Sequence, residues 1–189
     1  KTGFRILLPV ATPDEALERI MPTMRLAEAF QAHVELLHMV SIPDQVPLAD
    51  AGRYLHVGRE AMTEATLYLR SRFTFHETIR YCRTPARGIL SAAREHQADL
   101  LILGWRGRTS RADVLFGTTL DPILEQTPCD TVVLRGCNQR SYRRVLVPFT
   151  DGPDGHLALR LAGLLADPGE GHIRVLTVVP PGQAAPALD

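Results

Sequence analysis

Residues 99–119 read Asp-Leu-Leu-Ile-Leu-Gly-Trp-Arg-Gly-Arg-Thr-Ser-Arg-Ala-Asp-Val-Leu-Phe-Gly-Thr-Thr. The apolar run ending at Gly104 is short and unbroken. Such a run marks a strand buried on both faces, at the centre of a parallel sheet. Polar and glycine-bearing residues follow it, and Gly117–Gln126 reads as a helix. The stretch is therefore a strand-to-helix junction. Ligands of open α/β sheets sit at such places, outside the carboxyl ends of the strands.

The same alternation extends outward on both sides. Arg5–Ala11 is an apolar run that stops at Thr12-Pro13, a capping residue followed by a first-turn proline. A helix is expected from there to about Gln31, with Pro22 as an irregularity. Val34–Val40 is a second strand, residues 51–72 a long helix, and Thr74–Cys82 a third strand. Pro85 opens another helix, and Asp130–Arg135 is a fifth strand. Strands that alternate with helices at this spacing give βαβ units and one parallel sheet, with right-handed crossovers. The pattern then restarts: Arg5-Ile6-Leu7-Leu8-Pro9-Val10 matches Arg144-Val145-Leu146-Val147-Pro148-Phe149 at an offset of 139 residues. At that same offset, Val34-Glu35-Leu36-Leu37 matches Ile173-Arg174-Val175-Leu176. Two matches at one offset point to duplication. The expected organisation is a domain over residues 1–137, a linker over 138–143 and a partial β-α-β repeat over 144–189.

Composition narrows the function. The 189 residues carry a formal net charge of zero, so nothing global favours nucleic acid as a partner. Lys1 is the only lysine among 21 basic residues, which excludes a P-loop or kinase lysine inside the fold. Cys82, Cys129 and Cys137 form no CxxC pair, and His33 and His38 fall on opposite faces of their strand, so neither a disulfide framework nor a metal site is expected. No apolar run approaches membrane-spanning length. The chain starts without methionine, close to its first strand, as a piece of a longer polypeptide would.

The chemistry lies in the loop. Gly104 and Gly107 permit a sharp turn and close approach of backbone N–H groups to an anion. Gly117, Thr118 and Thr119 place unpaired N–H groups and hydroxyls at a helix start, and Arg106, Arg108 and Arg111 add positive charge. Either end of this set alone would only terminate a strand or cap a helix. Together, at a strand-to-helix junction, they describe a phosphate loop that fits neither GxGxxG nor GxxxxGK[ST].

Gly104-x2-Gly107-x9-Gly117-Thr118 resembles the nucleotide loop of the universal stress protein family. Thr84–Gly104 and Thr127–Arg135 resemble the family's sequence before and after that loop. The resemblance covers residues 4–136, and 144–179 as a partial second copy. It implies an α/β fold: an open parallel five-stranded sheet of order 3-2-1-4-5, with helices on both faces. It also implies a non-enzymatic regulatory domain binding ATP or ADP, with a magnesium ion possible beside the nucleotide, or alternatively an AMP-type or cyclic nucleotide. The site residues it implies are Pro9, Ala11, Val40, Leu103, Gly104, Gly107, Gly117, Thr118 and Thr119. Ala11 stands where the family usually has an acid, and Thr12 and Asp14 are the neighbours able to replace it. A homodimer through the fifth strand and a cytoplasmic location follow from the same resemblance. So does attachment to a membrane transporter, either an amino-acid permease or a sodium/proton antiporter. The alternatives are a stand-alone stress-response protein, a dimerisation module without nucleotide, and a slow ATPase.

Overall fold

The computed structural model describes residues 3–54, 56, 59, 63, 66–67, 75–105, 107, 119–136, 139–179 and 181–182. They fall into two units, Lys1–Asn138 and Gln139–Asp189. The first contains β1 (Arg5–Val10), α1 (Pro13–Phe30), β2 (His33–Ser41) and a 3-10 segment (Leu48–Tyr54). It continues with β3 (Phe75–Cys82), α2 (Pro85–Glu95), β4 (Leu100–Gly104), α3 (Leu120–Gln126) and β5 (Asp130–Leu134). The strands form one parallel sheet in the order β3-β2-β1-β4-β5.

The core explains this order. Ile6, Leu7, Leu8, Leu36, Leu37, Leu100, Leu101 and Ile102 lie on the three central strands and are almost fully buried. Burying such a side chain contributes about 1.5–3 kcal/mol relative to leaving it in water, so unbroken apolar runs go to the middle. The alternating third strand takes one edge, where half of its side chains meet solvent. Leu7, Leu37, Leu101 and Leu103 face α2 and α3 through Ile89, Leu90, Ala93 and Ile123. The even-numbered residues of β1 face the other way, the side on which α1 contacts β1 and β4.

Helix α1 starts as its sequence dictates. The Thr12 hydroxyl accepts a hydrogen bond from the Glu15 backbone N–H at 3.3 Å, and Pro13 occupies the first turn. The helix continues through Pro22 and closes at Gln31, whose left-handed backbone (φ 49°) directs its N–H to the carbonyls of Ala27 and Glu28. Two expectations need correcting. Helix α3 begins at Leu120, not Gly117. Pro122 explains this, because it has no N–H for the carbonyl four residues earlier and fits only in a first turn. Residues 48–54, at the entry to the expected long helix, form a 3-10 segment, and the helical positions described beyond it are 56, 59, 63, 66 and 67.

The second unit is a β-α-β hairpin: β6 (Arg144–Pro148), α4 (Pro153–Leu165) and β7 (His172–Leu176), with the two strands parallel. Val147 and Phe149 are buried, whereas Leu146 and Leu176 on the strands' opposite face remain exposed. Residues 142–143 join this unit rather than linking to it: Tyr142 bridges to Ala166, and its N–H donates to Leu165 O at 2.8 Å.

Candidate functional site

In the order β3-β2-β1-β4-β5, the chain leaves β1 toward one face of the sheet and β4 toward the other. The carboxyl ends of these neighbours therefore diverge, opening the crevice typical of ligand sites in open α/β sheets. Pro9 and Ala11 stand at one lip, and Leu103, Gly104 and Gly107 at the other. Val40 lies near the end of the adjacent strand β2. The topology thus brings these expected residues to one end of the sheet. Thr119 directly precedes α3, and its hydroxyl makes no capping bond there. Gly117 and Thr118 lie outside the described residues, as do Arg106, Arg108 and Arg111. Leu103 is buried in the apolar layer under α2, so only its backbone belongs to the crevice.

Arg19 joins the two lips, and the sequence reading missed it. The Arg19 guanidinium donates from Nη1 to the Pro9 carbonyl at 2.8 Å and pairs through Nη2 with Glu15 Oε2 at 3.3 Å. It also lies against the Gly104 backbone, where an added Cβ would overlap it. Gly104 therefore leaves the space that the buried Arg19 guanidinium occupies. Glu15 is the second missed residue. Its Oε2 accepts from the Ala11 N–H at 3.1 Å, which brings a carboxylate to the β1 tip, where Ala11 itself offers none. Thr12 is engaged as the helix cap, and Asp14 is exposed in the first turn of α1. An i,i+4 Glu–Arg pair at a helix start was the available signal, but such pairs usually lie on solvated faces.

The loop leaves β4 with defined geometry. Trp105 donates its backbone N–H to Leu134 O at 2.8 Å, and its ring packs against the apolar layer. The Arg135 guanidinium covers that ring, 4.9 Å from its centroid. It also comes within 3.4 Å of the position a Cβ would take on Gly107, whose φ is +113°. Trp105 is thus packed between core and guanidinium, and Arg135 brings positive charge beside the loop.

His38 lies beneath the crevice, buried, with Nδ1 2.9 Å from the Val10 carbonyl. A carbonyl only accepts, so Nδ1 carries the hydrogen. Burial lowers its pKa from 6.5, opposed in part by the Val10 bond and the Glu15 charge. The unfolded chain takes up a proton near 6.5, but the native state resists it until a lower pH. This group's contribution to stability is therefore complete above 6.5, declines as the pH falls below it and levels off under the lowered native value. Denaturant titrations between about pH 7.5 and 5 should show that decline, reduced in His38→Asn, whose amide can donate to the same carbonyl. An identical pH profile in the variant would exclude His38 as its source.

Among the described residues, no group of three His, Cys, Asp or Glu side chains is placed to hold a metal ion. No helix among them is long and apolar enough to cross a membrane.

A five-stranded doubly wound parallel sheet with charged side chains at its topological switch point defines an open α/β module. The model of the universal stress protein family matches residues 4–135, and the chain belongs to that family. Among curated relatives, the chain is 30% identical over 153 residues to the Na(+)/H(+) antiporter NhaS5 of Synechocystis. That match covers 77% of this chain but only 21% of the antiporter. A universal stress protein of Methanocaldococcus jannaschii is 22% identical over 138 residues, covering 69% of this chain and 81% of its own length. Among solved structures, the universal stress protein UspA of Lactobacillus plantarum superposes with a TM-score of 0.56 at 22% identity, covering 71% of this chain and 99% of that one. The Archaeoglobus fulgidus protein in complex with dAMP gives a TM-score of 0.53 at 16% identity, covering 69% and 96%. These superpositions establish the shared fold.

Proposed function

We propose that the first unit is a regulatory domain that binds an adenine nucleotide in the crevice between β1 and β4, with Pro9, Ala11, Val40 and Leu103 around the nucleoside and the Gly104–Thr119 loop on the phosphates. The observation that carries this reading is the meeting of Gly104, Gly107 and the Arg19 and Arg135 guanidinium groups at the switch point. The dAMP complex of one structural neighbour and the cAMP complex of another support an adenine ligand. ATP or ADP is the form implied by the resemblance of the Gly104–Thr118 loop to the family's nucleotide loop, with magnesium carried by the phosphates. The proposed role is regulatory binding rather than cleavage of the nucleotide.

The antiporter relative supports a further step: this domain regulates a membrane transporter to which it is covalently attached, from the cytoplasmic side. The exposed edge of β5 is the proposed surface for a homodimer, and the β6–α4–β7 unit is the proposed partial second copy.

Calorimetric titration with ATP, ADP, AMP and cyclic AMP, and mass spectrometry of the nucleotide released on denaturing the purified protein, test the binding reading. At least one adenine nucleotide is expected to bind in the micromolar range, where about −8 kcal/mol is available. Failure of all four, with none released from the purified protein, would overturn it.

A further inference from the structure

The sheet carries a second concavity at its opposite end. A cavity of about 500 Å³ lies at the amino ends of β1, β2 and β3, within the usual range for small-molecule sites. Its polar lining comes from separate elements: Arg5, His33, Glu35, His76, Glu77, Thr78 and His96, with Glu77 already engaged by the Thr66 hydroxyl. The strand register explains how they meet. Arg5 pairs with His33 and Glu35 with His76, while Glu35 shares the α2 side of the sheet with Leu37.

Glu35 is the chemically unusual member. Its side chain is only 13% exposed, and it is the one acid on the central strand β2. Its Oε1 accepts from the Thr78 hydroxyl. The nearest basic atom to Oε2 is His96 Nδ1 at 3.8 Å, beyond hydrogen-bonding distance. A largely buried carboxylate normally has both oxygens satisfied, because desolvating a charge without partners is costly. Here one oxygen is held by protein and the other borders a cavity. The adjoining Arg5 guanidinium is directed elsewhere, with Nη1 donating to the His96 carbonyl at 2.9 Å. The cavity therefore offers an acceptor to a cation with N–H groups. A bare metal ion does not fit, since no group of three ligating side chains converges there among the described residues. His33, His76 and His96 also line the cavity, and an imidazole that carries one hydrogen offers one acceptor nitrogen to further N–H groups of an extended cation.

We propose that this cavity is a binding site for a small organic cation bearing a primary ammonium group, which donates to Glu35 Oε2. The site is separate from the β1–β4 crevice and does not depend on nucleotide binding.

The test is a titration of the whole chain with putrescine at low salt, followed by calorimetry and by NMR of the histidine ring nitrogens. Saturable binding is expected, with shifts at His76 and His96 and none at His156 or His172 on the second unit. Glu35→Gln keeps the side chain's shape and an acceptor for Thr78, and should weaken binding about tenfold or more. Glu95→Gln, on the exposed end of α2, should leave affinity unchanged. Tetramethylammonium, which has the charge but no N–H, should not compete. The proposal is overturned if putrescine gives no saturable response at millimolar concentration, if Glu35→Gln binds it as well as the parent, or if tetramethylammonium displaces it. Should Glu35→Gln fail to fold, the histidine shifts and the competition experiment on the parent protein decide.

Discussion

Arg19→Met should cost about 3 kcal/mol or more of folding free energy, a large effect for a charged helix residue. The reason is burial. The Arg19 side chain is only 8% exposed and its partner Glu15 15%. Removing the guanidinium leaves the Glu15 carboxylate partly desolvated beside Ala11 and takes the donor from the Pro9 carbonyl. It also empties the space beside Gly104, which has no side chain to fill it. Methionine replaces much of the aliphatic stem, so the loss reports the charged end rather than the packing of the chain. The companion variant Glu15→Gln with Arg19→Met should recover part of the loss, because both charges are then gone. Urea denaturation of the two single variants and the double variant checks this. If Arg19→Met shifts the midpoint no further than an exposed substitution does, the guanidinium is not holding the lips of the crevice together.

Much of this fold is legible in the sequence, and the exceptions share one physical origin. Arg5–Val10, His33–Ser41 and Leu100–Gly104 announce themselves because strands buried on both faces are predominantly apolar. The alternation in Phe75–Cys82 likewise marks an edge. Thr12-Pro13-Asp14-Glu15 reads directly as a capped helix start. The late start of α3 was legible too, since Pro122 carries it, but the glycine at 117 drew the boundary toward the loop. Arg19 and Glu35 were not legible as site residues. Along α1, Glu15 and Arg19 have the spacing of a solvated ion pair. Only the sheet order, which sets β4 beside β1 and puts Gly104 under the helix, makes that pair buried. Glu35 is the one acid on β2, and its meaning depends on the register that places Thr78 and His76 next to it. Local patterns reveal elements, whereas juxtapositions across strands appear only once the sheet is assembled. Arg135 is a third such case, at the end of β5 yet lying over a ring that follows β4.

Gly107→Val is expected to weaken adenine-nucleotide binding by at least about tenfold while leaving the sheet folded. At φ +113°, Gly107 occupies backbone space that side-chain-bearing residues rarely enter, and a β-branched residue there is strained by roughly 1–3 kcal/mol. The new side chain would also approach Arg135, which stands 3.4 Å from the Cβ position. Both effects act on the segment just after β4. Relief requires a different turn, which would re-aim the backbone N–H groups proposed to face the phosphates and displace Arg135 from Trp105. Neither change reaches the core, because Leu100–Leu103 are anchored by their ladders to β1 and β5. Affinity and stability should therefore separate: a modest fall in the urea midpoint, and a large fall in affinity by calorimetry. Arg135→Gln distinguishes the two contributions, since it keeps the glycine turn and removes only the charge. It should weaken binding less than Gly107→Val, and the deficit should shrink as salt rises and screens the lost charge. Equal affinity in Gly107→Val and the parent protein would mean that phosphates do not meet this turn, and the nucleotide would have to be sought elsewhere along the carboxyl edge of the sheet.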